Sequence, residues 1–281
     1  MNKRAGFTLV ELLVVIAIIA LLLAVLVPTL RRAQGQAKSV VCRSDLKQWD
    51  MAFNMYANAN NGRFFPGYGT GADGYSTNTW APGEMWMIKL RPYYGGVKGS
   101  LSSADKIRLC PKATKFLSTL PDWMQTTPFT AWGIDGEGGL PIRNGEAGLY
   151  GSYGINDWVH SRPPINGNPA MDREYWRNIT SLKSPPRTVP VFGDSVWEGT
   201  NPMASDKPSS IAGKSGDGSL RGMWGFCIPR HGLTVDWVFL DLSVRKVPIK
   251  DLWTLKWSTG FDTAMTVSWR GAPWINNDWG N

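Results

Sequence analysis

Residues 7–27 read FTLVELLVVIAIIALLLAVLV, an apolar run interrupted only by Thr8 and by one charge, Glu11. A helix needs about 20 apolar residues to cross the hydrocarbon core of a bilayer, so this stretch is long enough to span one. Lys3 and Arg4 precede it, and Pro28-Thr29-Leu30-Arg31-Arg32 follows it. A secretory signal peptide has a basic start, an apolar stretch of roughly 7–15 residues and a small-residue cut site. The basic start is present, but the run is too long and no such cut site follows. A plain signal anchor explains the length and leaves Glu11 unexplained. A carboxylate at membrane depth is costly and is usually retained for a function.

The string Lys3-Arg4-Ala5-Gly6-Phe7-Thr8-Leu9-Val10-Glu11 resembles the processing site of type IV prepilins and type II secretion pseudopilins. The resemblance implies cleavage between Gly6 and Phe7 by a prepilin peptidase and N-methylation of Phe7. It also implies a role in assembly for Glu11, five residues into the mature chain. A lone carboxylate in hydrocarbon must either neutralise or find a positive partner. Cleavage creates such a partner, the α-amine of Phe7, and Glu11 of one subunit can pair with Phe7 of its neighbour. The cost of leaving either charge unpaired would then hold neighbours in axial register. The charges flanking the run are nearly balanced and do not orient it. The resemblance places the N-terminus in the cytoplasm, with a single pass through the inner membrane and the C-terminal part in the periplasm.

Pro28 is expected to kink the helix; pilins resemble this chain in carrying a proline at similar depth. Beyond it, Leu30, Ala33, Ala37, Val40 and Val41, then Leu46, Trp49, Phe53 and Tyr56, recur at helical spacing as one apolar stripe. That stripe is expected to pack on the globular part. The helix should stop near Asn60-Asn61-Gly62, where Asn or Gly tolerates a left-handed cap. The whole would be about 80 Å long if unbroken. The expected organisation is therefore a leader (1–6), a spanning and filament-core helix (7–27), its amphipathic continuation (28–61) and a loop-rich β domain (62–281).

The 281 residues are 43% apolar and 19% charged, the composition of a folded chain. The net charge of +8 falls to +6 once Lys3 and Arg4 are removed (8 − 2). No Lys/Arg cluster exceeds a pair, so no nucleic-acid partner is expected. The three cysteines, Cys42, Cys110 and Cys227, form no CxxC, and no His/Cys group has zinc spacing. No metal or cofactor is expected.

From residue 62 onward, short apolar stretches alternate with Gly, Pro, Asn and Ser, the pattern of antiparallel sheet with long loops. Val189-Pro190-Val191-Phe192 is an expected strand. Val235–Val247 is an expected hairpin turning at Asp241-Leu242-Ser243, and Lys250–Trp257 an expected short helix or turn. The fold class is α+β and pilin-like, a long helix on an antiparallel-sheet domain. His231 and Asp241 resemble an H-x(9)-D-G signature found in a large group of prepilin-like proteins. Leu242 stands where that signature has Gly, so an Asp-Gly type I′ turn is not expected. Within that reading His231 would hydrogen-bond across the hairpin and pin loops. The periplasm is oxidising, and there Cys42 and Cys110 are the candidate disulfide, clamping a loop to the helix.

Two other functions compete. Gly193-Asp194-Ser195 and Gly154-Ile155-Asn156-Asp157 resemble the nucleophile and oxyanion blocks of GDS-type esterases, with Ser195 as nucleophile, His160 and Asp157 as partners, and Asn156 as oxyanion donor. The order of the blocks is reversed from that family. The 15 tryptophans are expected to fill a loop-rich core; the rival is a surface that stacks on glycans, for which Trp253, Trp257, Trp269, Trp274 and Trp279 are the best place. The prepilin resemblance instead implies a structural subunit and not an enzyme. Its partners would be membrane lipid before assembly, sister subunits, the peptidase, an inner-membrane platform and the ATPase that drives it.

Overall fold

The computed structural model describes residues 8–66, 86–96, 103–116, 126–132, 150–161, 173–181, 185–214 and 222–277. Gly6, Phe7 and Trp279 lie outside the described residues. Helix α1, Leu9–Ala59, runs unbroken for 51 residues, about 77 Å. It starts in a capping box. The Thr8 N–H donates to Glu11 Oε2 at 2.8 Å, and the Glu11 N–H donates back to Thr8 Oγ1 at 3.3 Å. Pro28 sits inside the helix without ending it. Just past it the Thr29 hydroxyl turns back to the Leu26 carbonyl at 2.8 Å. At the far end Asn61 and Gly62 take left-handed φ values of 56° and 77°, and the Gly62 N–H closes on the Ala57 carbonyl at 2.8 Å.

The head is built on a five-stranded mixed sheet whose strands run from edge to edge as Gly199–Thr200, Tyr153–Asn156, Pro190–Asp194, Thr234–Phe239 and Val244–Pro248. In that order they are β5, β3, β4, β6 and β7. All neighbours are antiparallel except β3 and β5. A separate two-residue parallel pair joins β1 (Lys115–Phe116) to β2 (Thr130–Ala131). A short helix, α2 (Trp86–Tyr94), flanks α1. The lower half of α1 lies across β6, with β4 and β7 beside it.

The face of α1 that meets the head is not the whole stripe read from the sequence. Ser39, Cys42, Leu46, Trp49, Phe53 and Ala57 are buried, whereas Leu30, Ala33, Ala37, Val40 and Val41 are exposed. The upper apolar residues therefore continue the surface of the spanning segment instead of joining the head. The physical reason is register: apolar residues at helical spacing occupy two faces here, and only contact with the sheet selects one.

The tryptophans fill the head. Trp49, Trp86, Trp132, Trp158, Trp237 and Trp257 are fully buried. Most of their indole N–H groups reach main-chain carbonyls: Trp86 donates to Glu198 at 2.9 Å, Trp132 to Tyr153 at 3.0 Å and Trp257 to Leu252 at 2.7 Å. Long loops leave carbonyls without strand partners, and a tryptophan supplies both apolar mass and the missing donor. The tryptophans thus fill a loop-rich core as expected, and the competing exposed patch does not form among the described residues. Trp253, Trp257 and Trp274 are buried, and Trp253 and Trp274 each donate to a loop carbonyl, of Asp206 and Ser209. Trp269 packs edge-on against both.

The β6–β7 hairpin turns at Asp241-Leu242-Ser243. Leu242 has φ 66°, the left-handed conformation the signature glycine would adopt without strain. A left-handed L-residue costs about 1–2 kcal/mol, offset in part by the extra chain entropy of an unfolded glycine. Leu242→Gly is therefore expected to stabilise the head by roughly 0.5–1 kcal/mol. Urea unfolding of the full chain in detergent, followed by tryptophan fluorescence, checks this; a loss of stability would contradict it.

Candidate functional site

Two regions carry unusual chemistry. The first is the upper part of α1. Every residue from Leu9 to Gln34 is exposed, and among them only Glu11, Arg31 and Arg32 are charged. A stretch of 18 residues in α1 reaches a mean hydropathy of 3.3, with none of them buried against the head. An apolar surface of that size is not stable in water and requires lipid or other helices around it. Glu11 stands near its N-terminal end, with Thr8 Oγ1 2.7 Å from Oε2.

The second is a buried polar node where α1 meets the sheet. Gly193 and Asp194 end β4, and a Cβ at Gly193 would lie 2.2 Å from the Trp237 ring. Only glycine lets β4 lie this close under β6. The strand thereby aims Asp194 at the residues preceding β6. His231 Nε2 lies 3.3 Å from Asp194 Oδ2, 3.6 Å from Asp236 Oδ2 and 3.4 Å from Cys110 Sγ. Among the described residues His231 Nδ1 is buried without a partner, which assigns the ring proton of the neutral form to Nε2, between the carboxylates. From α1, Ser39 Oγ donates to Asp236 Oδ2 at 3.0 Å, and Arg43 lies 3.5 Å from Oδ1. The Asp236 N–H donates to Asp194 Oδ2 at 2.8 Å.

Arg230 closes the other side. It is fully buried and donates to the carbonyls of Pro128 (2.8 Å), Thr130 (2.9 Å), Ser195 (2.8 Å) and Ser152, while its Nη1 lies 3.4 Å from Asp194 Oδ1. Burial pushes Asp194 upward, but His231, Arg230 and the Asp236 N–H together hold it below the ordinary carboxylate value. Asp236 is pushed up to about 6 by burial and by Asp194, against the pull of His231, Ser39 and Arg43. One carboxylate is thus firmly ionised and the other is poised.

Cys42 on α1 and Cys110 lie beside this node, their sulfurs 2.24 Å apart and their Cα atoms 5.0 Å apart. That Cα separation lies within the range of a disulfide. Cys227 is buried and free, and burial pushes its thiol up. His231 and Asp241 are not brought together. They lie beyond opposite ends of β6, and Asp241 is exposed, with its Oδ1 accepting from the Ser243 N–H at 3.0 Å. The partners of His231, namely Asp194 and Asp236, have no spacing in the sequence that singles them out.

The esterase constellation does not form. Ser195 is fully buried, and its hydroxyl donates to the Trp197 carbonyl at 2.5 Å. The Asn156 amide is committed to the carbonyls of Pro190 and Trp257, each at 2.9 Å. Both groups serve the backbone, and neither faces a substrate. His160 is buried, and burial lowers its pKa to about 4 against an unfolded value of 6.5. A depressed histidine contributes stability above pH 6.5 that is lost as pH falls towards 4. Relative to the native chain, His160→Gln should gain about 1.4 kcal/mol between pH 7.5 and pH 5.5. Urea titrations of both chains at the two pH values measure that difference; a constant offset between them would refute it.

A long helix with an apolar, unpartnered N-terminal half, carrying an α+β head on its other half, defines a pilin-like architecture. Comparison with known proteins agrees. Residues 1–27 match the family model described as the prokaryotic N-terminal methylation motif. Over 61 residues, 22% of this chain, it is 46% identical to the type IV wide pilus major component PilA4 of Thermus thermophilus, covering 47% of that protein. Over 55 residues, 20% of this chain, it is 39% identical to the type II secretion system core protein G of Pseudomonas aeruginosa, covering 39% of that protein. The chain spans less than half the length of the curated relatives it matches. No solved structure matches it. The family model covers the N-terminal region, and the matches together support a pilin or pseudopilin subunit at family level.

Proposed function

We propose that this chain is a filament subunit, cut between Gly6 and Phe7, methylated at the Phe7 amine and assembled through α1. The observation that carries this reading is the wholly exposed apolar surface at the start of α1, within the residues that match the methylation motif. Before assembly, lipid of the inner membrane covers that surface and the head stands in the periplasm. In the filament, the same helix of sister subunits covers it. Glu11 is then transferred from its bonds with Thr8 to the Phe7 amine of a neighbour. A prepilin peptidase performs the cut, and an inner-membrane platform with its ATPase extracts the subunit. The Cys42–Cys110 disulfide clamps the head to the helix during that pull.

The test is mass spectrometry of the N-terminal peptide in sheared surface material and in washed inner membrane. A methylated Phe7 terminus in the sheared fraction identifies an external filament. The same terminus confined to the membrane identifies a secretion-type pseudopilus subunit. A chain still beginning at Met1 in both would overturn the proposal. Glu11→Leu is expected to be cut normally yet to fall roughly tenfold or more in the assembled fraction, because the neighbour's amine is left buried and unpaired.

A further inference from the structure

α1 leaves the head beside a group of lysines that serve nothing inside it. Lys47 Nζ reaches the Leu242 carbonyl at 2.6 Å, and Ser39 Oγ reaches Asp236 Oδ2 at 3.0 Å. Moving back along β6 from its turn to Asp236 therefore follows α1 towards its apolar half. Lys246 stands opposite Asp236 on β7. Lys38 precedes Ser39, and Lys112 lies two residues beyond Cys110, whose sulfur joins Cys42 one turn along α1. Lys112 feels both of the other lysines: burial, then Lys246, then Lys38 push its pKa down, and Asp194 and Asp236 restore it only in part. Lys38 and Lys246 are exposed and Lys112 is half-buried. Among the described residues none of the three has a hydrogen bond or an ion pair.

We propose that Lys38, Lys112 and Lys246 form a collar that binds the phosphates of anionic phospholipids in the leaflet from which α1 emerges. The inference rests on the reading of α1 as a membrane span with the head outside it. The dimensions fit. From Leu9 to Leu30 the helix is about 33 Å long, close to the hydrocarbon core of roughly 30 Å. Arg31 and Arg32 follow at the edge of that core. Lys38 lies about 9 Å beyond Arg32 along the axis, where a headgroup layer of roughly 5–8 Å ends. That distance is about one Debye length at physiological salt, so the leaflet's charge still acts there.

Charge argues for a lipid. Like charges gathered without a counter-ion repel one another, and an outside anion relieves that cost. The carboxylates behind the collar are already engaged: Asp236 accepts from Ser39 and lies beside Arg43, and Asp194 faces Arg230. Short loops on the translocated side of a span are ordinarily poor in Lys and Arg, so a group of them there calls for a partner. The spanning half of α1 fixes the height of the collar above the bilayer, which holds headgroup phosphates against it at high local concentration. Each basic residue near an anionic leaflet raises affinity roughly fivefold. Extraction of the subunit strips these contacts, so the collar holds the head on the leaflet until the helix is pulled out.

The experiment places the full chain in phosphatidylcholine bilayers carrying a trace of spin-labelled phosphatidylglycerol or spin-labelled phosphatidylcholine. Electron paramagnetic resonance reads the fraction of each label that the protein holds. The native chain is expected to favour phosphatidylglycerol roughly fivefold or more at low salt. Raising the salt to about 0.5 M should bring the ratio close to one. Lys38→Gln, Lys112→Gln and Lys246→Gln together should lower the preference at least roughly threefold. The same three lysines changed to Arg should keep it, because charge carries the contact; if the glutamine chain does not fold, the arginine chain and the salt series decide. Entry into the bilayer without a preference overturns the collar. So does a preference that survives the three glutamines, which would belong to Arg31 and Arg32. A chain that enters neither bilayer sinks the membrane reading and the collar together. Cleavage after Gly6 has no bearing on these outcomes, so the collar and the processing step fail separately.

Discussion

Arg230→Met is expected to cost the head roughly 5 kcal/mol, enough to leave much of the population unfolded. Arg230 is fully buried, and its guanidinium serves four carbonyls and Asp194. Methionine fills much of the volume, so packing is not the main loss. Removing one partner of a buried pair costs about 3–5 kcal/mol, because Asp194 keeps a charge with less to offset it. Each carbonyl left without a donor adds about 1–3 kcal/mol where water does not enter. Asp194 relieves part of this by protonating, so the deficit should shrink as pH falls. Arg230→Lys keeps the charge but offers three donors from one atom in place of a planar fork, and should recover only part of the loss. Urea unfolding of the full chain in detergent, read by tryptophan fluorescence at two pH values, measures all three chains. A midpoint for Arg230→Met within about 1 kcal/mol of native would show that the network is dispensable.

Trp49→Ala is expected to cost about 3–5 kcal/mol and to loosen α1 from the head. Trp49 is the fully buried centre of the contact between helix and domain. Its ring meets Trp86 and Tyr94 of α2 edge-on, at 4.8 and 4.7 Å between centroids. Its indole N–H donates to the Ile107 carbonyl at 2.9 Å. Alanine leaves a cavity where three segments converge and orphans that carbonyl. Trp49→Phe separates the two effects: it keeps most of the packing and should lose only about 1–2 kcal/mol for the bond. Limited proteolysis of α1 between Ser39 and Ala59 gives an independent reading. Unchanged cleavage there in the alanine chain would refute the anchoring role.

These two residues also mark where sequence reading stops. Trp49 was visible as part of an apolar stripe, because helical spacing survives in one dimension. Arg230 was not, because its partners lie at residues 128, 130, 152, 194 and 195, and nothing in the chain records that they meet. The node was hidden for the same reason. His231 stood out by its spacing to Asp241, but the sheet carries it to Asp194 and Asp236 instead. The hairpin and β4 were legible because alternation, turn residues and a proline act over a few positions. That tryptophan fills a loop-rich core follows from composition, but which loop carbonyl each late indole reaches does not, since those partners lie far away in the chain.

The sequence by itself determined the long helix, its apolar first half, the motif before it and the α+β class. Each of these follows from local hydrophobic pattern or from adjacent residues, which tertiary contacts do not rewrite. Only the tertiary structure decided which face of α1 joins the head, that Leu242 holds a left-handed turn, and that Cys42, Cys110, Asp194, His231 and Asp236 share one buried node. Those outcomes depend on long-range packing, where a close approach such as Gly193 under Trp237 selects one arrangement among many that the same local pattern allows.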